Sequence, residues 1–319
     1  MKFIKRRAYQ RALAATAITA VMATAASTAV AAGNPTDAKA QRAQAEAQAQ
    51  AQHRTHGPAR LAAPRAAAPG QVATPTFSMS AVDKRTGNLY LYFPDGQGGF
   101  DSRYDVGVNF DFAAFQAPVD NDKDGYSEST WHIEKEGRLT YTYHVSEFEV
   151  DTKTIGGGWQ IYDKVLSPGN LAGAGEADMI ARDKAGVLWL YLGYPDGRVA
   201  PRIKIGGGWD AYTEIAGQGD LNGDGKSDIV AADKAGVLWL YTGTGNYNAP
   251  FKPRTKIGAG WNAYDRILSV GDLNRDGRTD LVARAKNGDL YRYFGNGRSG
   301  DPFDARVKIG WGYNIYNLL

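Results

Sequence analysis

A strand of alternating leucines and aromatics returns five times in this chain: Leu89-Tyr90-Leu91-Tyr92, Leu139 to Tyr143, Leu188-Trp189-Leu190-Tyr191, Leu238-Trp239-Leu240-Tyr241 and Leu290-Tyr291-Arg292-Tyr293. Successive copies lie 50, 49, 50 and 52 residues apart. A period of that size, with several short strands per unit, predicts the blades of a β-propeller. Residues 220–271 read as a loop and four strands separated by turns of Gly, Asn and Pro, the pattern of a small antiparallel sheet. Both faces of Leu238-Trp239-Leu240-Tyr241 are apolar, so this strand is expected to be buried on both sides, between neighbouring blades.

The first repeat starts near Phe77, already past the place of its leading loop, and the last ends at Leu319, where a loop would begin. The C-terminal strand is therefore expected to complete the first blade. That closes an all-β ring of five blades over residues 76–319 and removes two exposed edges.

Residues 1–32 have the layout of a secretory signal. Lys2, Lys5, Arg6, Arg7 and Arg11 form a basic start, an apolar stretch follows, and Ala29-Val30-Ala31 offers a small-residue cleavage pattern near Ala31 or Ala32. The stretch is too short and too rich in Ala and Thr for a membrane span of roughly 20 apolar residues, so no span is expected after cleavage. Arg6-Arg7 leaves a twin-arginine export route open. The formal charge of +3 belongs mostly to this segment. The body from residue 76 is mildly acidic and has no electrostatic footprint for nucleic acid. With no cysteine in the chain, disulfides are excluded and bound metal becomes a candidate for added stability.

Residues 33–75, rich in Ala, Gln and Pro, read as a disordered linker. Residues 38–52 have helix propensity but no apolar stripe, and an isolated helix of that length is marginal in water. This arm serves either as a solvated spacer or as a docking arm that orders in a groove of another subunit.

Three loops carry oxygen side chains at positions 1, 3, 5 and 9, glycine at 6 and an available carbonyl at 7. They are Asp120, Asp122, Asp124, Tyr126 and Glu128; Asp220, Asn222, Asp224, Lys226 and Asp228; and Asp272, Asn274, Asp276, Arg278 and Asp280. A hard cation takes six to eight oxygens, and a tight turn brings alternate residues onto one centre. The pattern predicts Ca²⁺ in a structural role. A fourth slot, residues 170–178, has alanine at positions 3 and 5. The DxNxDGxxD loop followed by DIVAAD and LWLY strands resembles the FG-GAP/VCBS repeat family, in the form common in secreted actinobacterial proteins. The IGGGW segments are similar to those of five-bladed tachylectin-type lectins. The resemblance implies a calcium-bearing propeller and, weakly, a lectin.

Trp159 and Tyr162, Trp209 and Tyr212, and Trp261 and Tyr264 follow these Gly-rich turns at constant spacing. They are either a sugar platform, with rings stacking on C–H faces beside backbone amides, or filling between blades. No catalytic set appears: there is no Gly-x-Ser-x-Gly elbow and no zinc-ligand spacing. The irregular repeat with Glu134, Glu136, Glu147 and Glu149 would be the place to look for an acid pair. The expected function is non-enzymatic: a secreted, lectin-like module recognising carbohydrate or an extracellular protein. The alternative is an adaptor subunit of a secreted assembly that docks through its N-terminal arm.

Overall fold

The computed structural model describes residues 35–56, 73–145 and 149–319. The signal-like segment 1–32, most of the Pro-rich part of the linker, and Glu147 lie outside the described residues.

Five four-stranded antiparallel sheets form the body. Blade 1 holds Tyr316–Leu318, Met79–Asp83, Asn88–Tyr92 and Tyr104–Asn109, and blade 2 holds Ala113–Val119, Ser129–Glu134, Leu139–His144 and Val150–Gly156. Blade 3 runs Tyr162–Gly169, Asp178–Asp183, Leu188–Tyr191 and Ile203–Gly206. Blade 4 runs Tyr212–Ala216, Ile229–Asp233, Leu238–Tyr241 and Thr255–Gly258, and blade 5 runs Tyr264–Gly271, Asp280–Ala285, Leu290–Tyr293 and Val307–Gly310. The C-terminal strand pairs with Met79–Asp83 through Ala81 and Leu318, as the repeat boundaries predicted. The first strands of blades 2 to 5 line an axial cavity.

In blades 3, 4 and 5 one face is filled by a recurring set. Trp159 lies 5.4 Å from Tyr162 and 4.6 Å from Tyr191, and Trp209 and Trp261 repeat the arrangement on Tyr212 with Tyr241 and on Tyr264 with Tyr293. The two tyrosine hydroxyls bond each other, and Arg202, Arg254 or Arg306 donates to the first of them. Each Trp N–H reaches the carbonyl of a glycine in the preceding blade, at 2.9 Å for Gly137, Gly186 and Gly236. Gly158, Gly208 and Gly260, with φ of 82–90°, supply the left-handed residue that turns the chain into this seam.

Blade 2 departs from this set. The Phe110 N–H bonds Gly87 as the tryptophans bond their glycines, so Phe110 stands in the tryptophan position. By the same register Ala113 and Thr142 replace the two tyrosines, and Thr152, bonded to Thr142 at 2.9 Å, replaces the arginine. Three large side chains have become small and the tryptophan a phenylalanine, and the volume they vacate is taken by a helix, Pro35–His56, packed against the strands of blade 2 and the outer strand of blade 1. Over these residues the expected disordered linker is corrected. Ala43, Glu46 and Ala49 form its buried stripe, and the two alanines join Phe110, Phe112 and Leu91 in one apolar cluster. A groove lined by small residues accepts alanine rather than leucine, which is why the helix needs no conventional apolar face. No described helix is long and apolar enough to cross a membrane.

Residues 73–77 enter blade 1 between the acidic loops of its two neighbours. Thr76 N–H donates to Gly125 O at 2.6 Å, Asp272 N–H donates to Pro75 O at 2.7 Å, and the Thr74 hydroxyl donates to Gly277 O at 2.8 Å. Blade 1 has no acidic loop of its own, and this segment fills that gap.

Candidate functional site

The acidic loops join the first and second strands of blades 2 to 5, all on one face of the ring. Their shape is fixed by the first carboxylate. Asp120 accepts Asp124 N–H and Gly125 N–H, Asp220 accepts Asn222, Gly223 and Gly225 N–H, and Asp272 accepts Asn274, Asp276 and Gly277 N–H. The N–H of the seventh residue, Tyr126, Lys226 or Arg278, donates to the fifth at 2.9, 3.1 and 3.0 Å. Among the described residues, Lys123 and Arg275 are the two non-glycines with positive φ, at 63° and 62°, and both occupy position 4.

One group of carboxylates converges. The oxygens of Asp120, Asp122, Asp124 and Glu128 all lie within 4.8 Å of one another. Burial, reinforced by the charges of Asp124 and Asp122, pushes the Asp120 carboxyl up to about 6. Crowded, half-desolvated carboxylates are a donor set that a hard divalent cation fits.

The other two loops differ at the ninth position. Asp228 accepts Leu221 N–H at 3.1 Å, the Asn222 amide at 2.7 Å and Gly243 N–H at 2.7 Å. Asp280 accepts Leu273 N–H at 2.8 Å and Gly295 N–H at 2.7 Å. Asp178, in the loop with no acids at positions 3 and 5, makes similar bonds, accepting Ala172 N–H, one position later in the loop, at 2.8 Å and Gly193 N–H at 3.2 Å. Burial raises Asp228 and Asp280 to about 7 and Asp178 to about 6. Because Asp178 makes these bonds without the ligand set, the ninth aspartate is a tie from loop to sheet. Asp228 and Asp280 thus tie their loops to the sheet, as Glu128 does by accepting Asn121 N–H at 2.9 Å, and they share their loops with the oxygen donors Asp220, Asn222 and Asp224, and Asp272, Asn274 and Asp276. Two of those carboxylates also have cations nearby, Lys252 at 3.4 Å from Asp224 and Arg278 at 3.8 Å from Asp276.

Of the two readings of the recurrent aromatics, burial favours filling between blades. Trp159, Trp209 and Trp261 are 6–7% exposed, with Tyr162, Tyr212 and Tyr264 equally buried, so none offers a ring face to a ligand in solution. They are seam filling. The residue that sequence reasoning passed over is Trp311, 79% exposed; Ile315, four residues on, is 48% exposed. Trp311 sits in the fifth Gly-rich turn, where the other turns have Gly157, Gly207 or Ala259. The signal was a break in the repeat rather than a repeated residue. Around these turns the backbone is bare: a Cβ built on Gly157 or Gly207 would meet nothing within 4 Å, and neither residue has a left-handed φ. The fold does not require glycine at these two positions.

In the irregular acidic repeat, Glu134 is not an open acid. Glu134 is 2% exposed and gripped by Arg138 through two bonds of 2.8 and 2.9 Å, with Lys39 of the helix at 2.9 Å. His132 is buried and 4.0 Å from Glu46.

These features define a five-bladed β-propeller with acidic inter-strand loops. The FG-GAP-like repeat model matches residues 220–283 and the FG-GAP repeat model matches residues 266–301, so the chain carries FG-GAP repeats in blades 4 and 5. No curated protein matches the sequence. Among solved structures, AofleA from Arthrobotrys oligospora is similar at 12% identity and a TM-score of 0.42, over 77% of this chain and 75% of that one. Prp20p from Saccharomyces cerevisiae is similar at 13% identity and a TM-score of 0.35, over 70% and 59%.

Proposed function

We propose that this chain is a secreted, non-enzymatic recognition module that binds carbohydrate through the face bearing its Gly-rich turns. The observation that carries this reading is Trp311, a large aromatic held in solvent on a turn flanked by Gly310 and Gly312. A sugar needs an apolar ring for its C–H face and backbone groups for its hydroxyls, and the bare glycines of the neighbouring turns supply the second. The layout of residues 1–32 supports export. Cleavage near Ala31 or Ala32 would leave the docked helix next to the new N-terminus.

On a glycan array, Trp311→Ala should weaken binding at least tenfold while the melting temperature stays within about 2 °C, as expected for an exposed side chain away from structural features. Equal binding by the variant would remove the stacking role and favour an extracellular protein partner. The adaptor reading loses its simplest form, because the helical part of the arm is occupied on its own propeller.

The same reading includes Ca²⁺ in the loop of Asp120, Asp122, Asp124 and Glu128, with the Tyr126 carbonyl as a further donor. Bound there, the ion would neutralise the crowded carboxylates and brace residues 73–77. Calcium at a hundred times its Kd should add about 2.7 kcal/mol, or roughly 5–10 °C for a domain of this size. Asp122→Ala should abolish that rise. Calorimetric titration with Ca²⁺ checks it, and an equal rise in the variant would move the ion elsewhere.

A further inference from the structure

We infer that the axial cavity is a binding site for a small oxyanion, a carboxylate or phosphate group held between Lys164 and Arg266. The inner strands of blades 2 to 5, with Phe77, Ser78 and Leu319, line a cavity that is partly open to solvent. Among the described residues its lining has two charged side chains, Lys164 and Arg266, and both are cationic; Gln116, Gln218, Ser167 and Ser269 add neutral polar groups.

The register explains why these charges meet. Phe115, Lys164, Glu214, Arg266 and Leu318 occupy the same position in the five inner strands and so form one ring around the axis. Glu214, 7% exposed, stands behind the lining and is shared. Its Oε1 accepts Lys164 Nζ at 2.5 Å, its Oε2 lies 3.6 Å from Arg266 Nη1, and it also accepts Ile267 N–H at 3.3 Å. One carboxylate thus serves two cations, leaving the ring one positive charge in excess.

Two further observations concern the same two side chains. Arg266 Nε is buried with no hydrogen-bond partner, a rare condition for a guanidinium nitrogen in a folded protein. Lys164 has its pKa lowered, chiefly by burial and in part by Arg266 and Arg182, although Glu214 opposes this. A guanidinium presents parallel N–H donors that match the oxygens of a carboxylate or phosphate. An oxyanion in the cavity would supply the missing acceptor and the missing charge together. The turn face bearing Trp311 takes no part in this site, so each can be lost without the other.

The test is calorimetric titration of the full chain with sodium phosphate and, separately, sodium acetate, at constant ionic strength set with chloride. Saturable binding is expected, weakened at least tenfold in Arg266→Met. It should tighten at least threefold in Glu214→Gln, which removes the competing carboxylate. Exposed Arg198→Ala should bind as the parent does. Binding of phosphate alone assigns a phosphorylated ligand, and binding of both assigns the shared oxyanion chemistry. Should Arg266→Met fail to fold, Lys164→Met and the opposite response of Glu214→Gln still decide. No saturable heat with either anion, or equal affinity across folded variants, overturns the site.

Discussion

Deleting residues 33–56 should lower the melting temperature of the propeller by roughly 10–20 °C. The helix covers the one seam in which blade 2 has Phe110, Ala113, Thr142 and Thr152 instead of the Trp, Tyr, Tyr and Arg set. Uncovering the apolar cluster of Ala43, Ala49, Phe110 and Phe112 there, at about 25 cal/mol per Å², costs on the order of 5 kcal/mol. A domain of this size shifts by about 2–4 °C per kcal/mol. Ala43→Arg, which forces a guanidinium into the buried stripe, should have an effect in the same direction. Scanning calorimetry of the shortened and intact chains checks this, and coincident transitions would reduce the helix to an ornament.

Glu46→Gln should stabilise the protein at pH 8 by about 3 kcal/mol, and the gain should fade as the pH is lowered. The Glu46 carboxylate is wholly buried and accepts Ser80 Oγ at 3.1 Å and the Gln116 amide at 2.7 Å, with Gln50 at 3.2 Å. His132 is its titratable neighbour, and Lys39, Glu134, Glu136 and Arg138 form the charged cluster further along the helix. Burial pushes Glu46 up from 4.5 to about 7. A raised carboxyl favours the folded state fully below 4.5 and loses that advantage as the pH rises through 7. His132 works in the opposite sense: burial depresses it from 6.5 to about 3, so its contribution is whole above 6.5 and lost as the pH falls toward 3. The two slopes offset each other between about 4.5 and 6.5, and a flat wild-type profile is expected there. In Glu46→Gln only the histidine slope remains. Melting temperatures at pH 8, 6 and 4.5 check the account, and a gain that grew toward pH 4.5 would refute it.

The ring was legible because its information is redundant. Five Leu-aromatic strands, apolar on both faces, and a repeat that begins and ends out of phase leave few ways to close a sheet array. The acidic loops were legible for the same reason, but the role of Asp228 and Asp280 was not. Oxygen spacing does not show that the ninth carboxylate also accepts backbone amides, as Glu128, Asp178, Asp228 and Asp280 all do. The docking of the helix escaped notice, although its propensity did not, because its contact stripe is Ala43, Glu46 and Ala49, which no amphipathic pattern marks. Its signature lay instead in the residues missing from blade 2. Trp311 was hidden likewise, since comparison of repeats draws the eye to what recurs, and Trp159, Trp209 and Trp261 recur because the seam needs them.

The central claim is that the helix is a built part of the ring, completing the seam between blades 1 and 2. Amide hydrogen exchange of the intact chain, resolved over residues 38–52, tests it most directly. Protection like that of the buried strand Ser129–Glu134 is the predicted result. Exchange at the rate of a free peptide would contradict it.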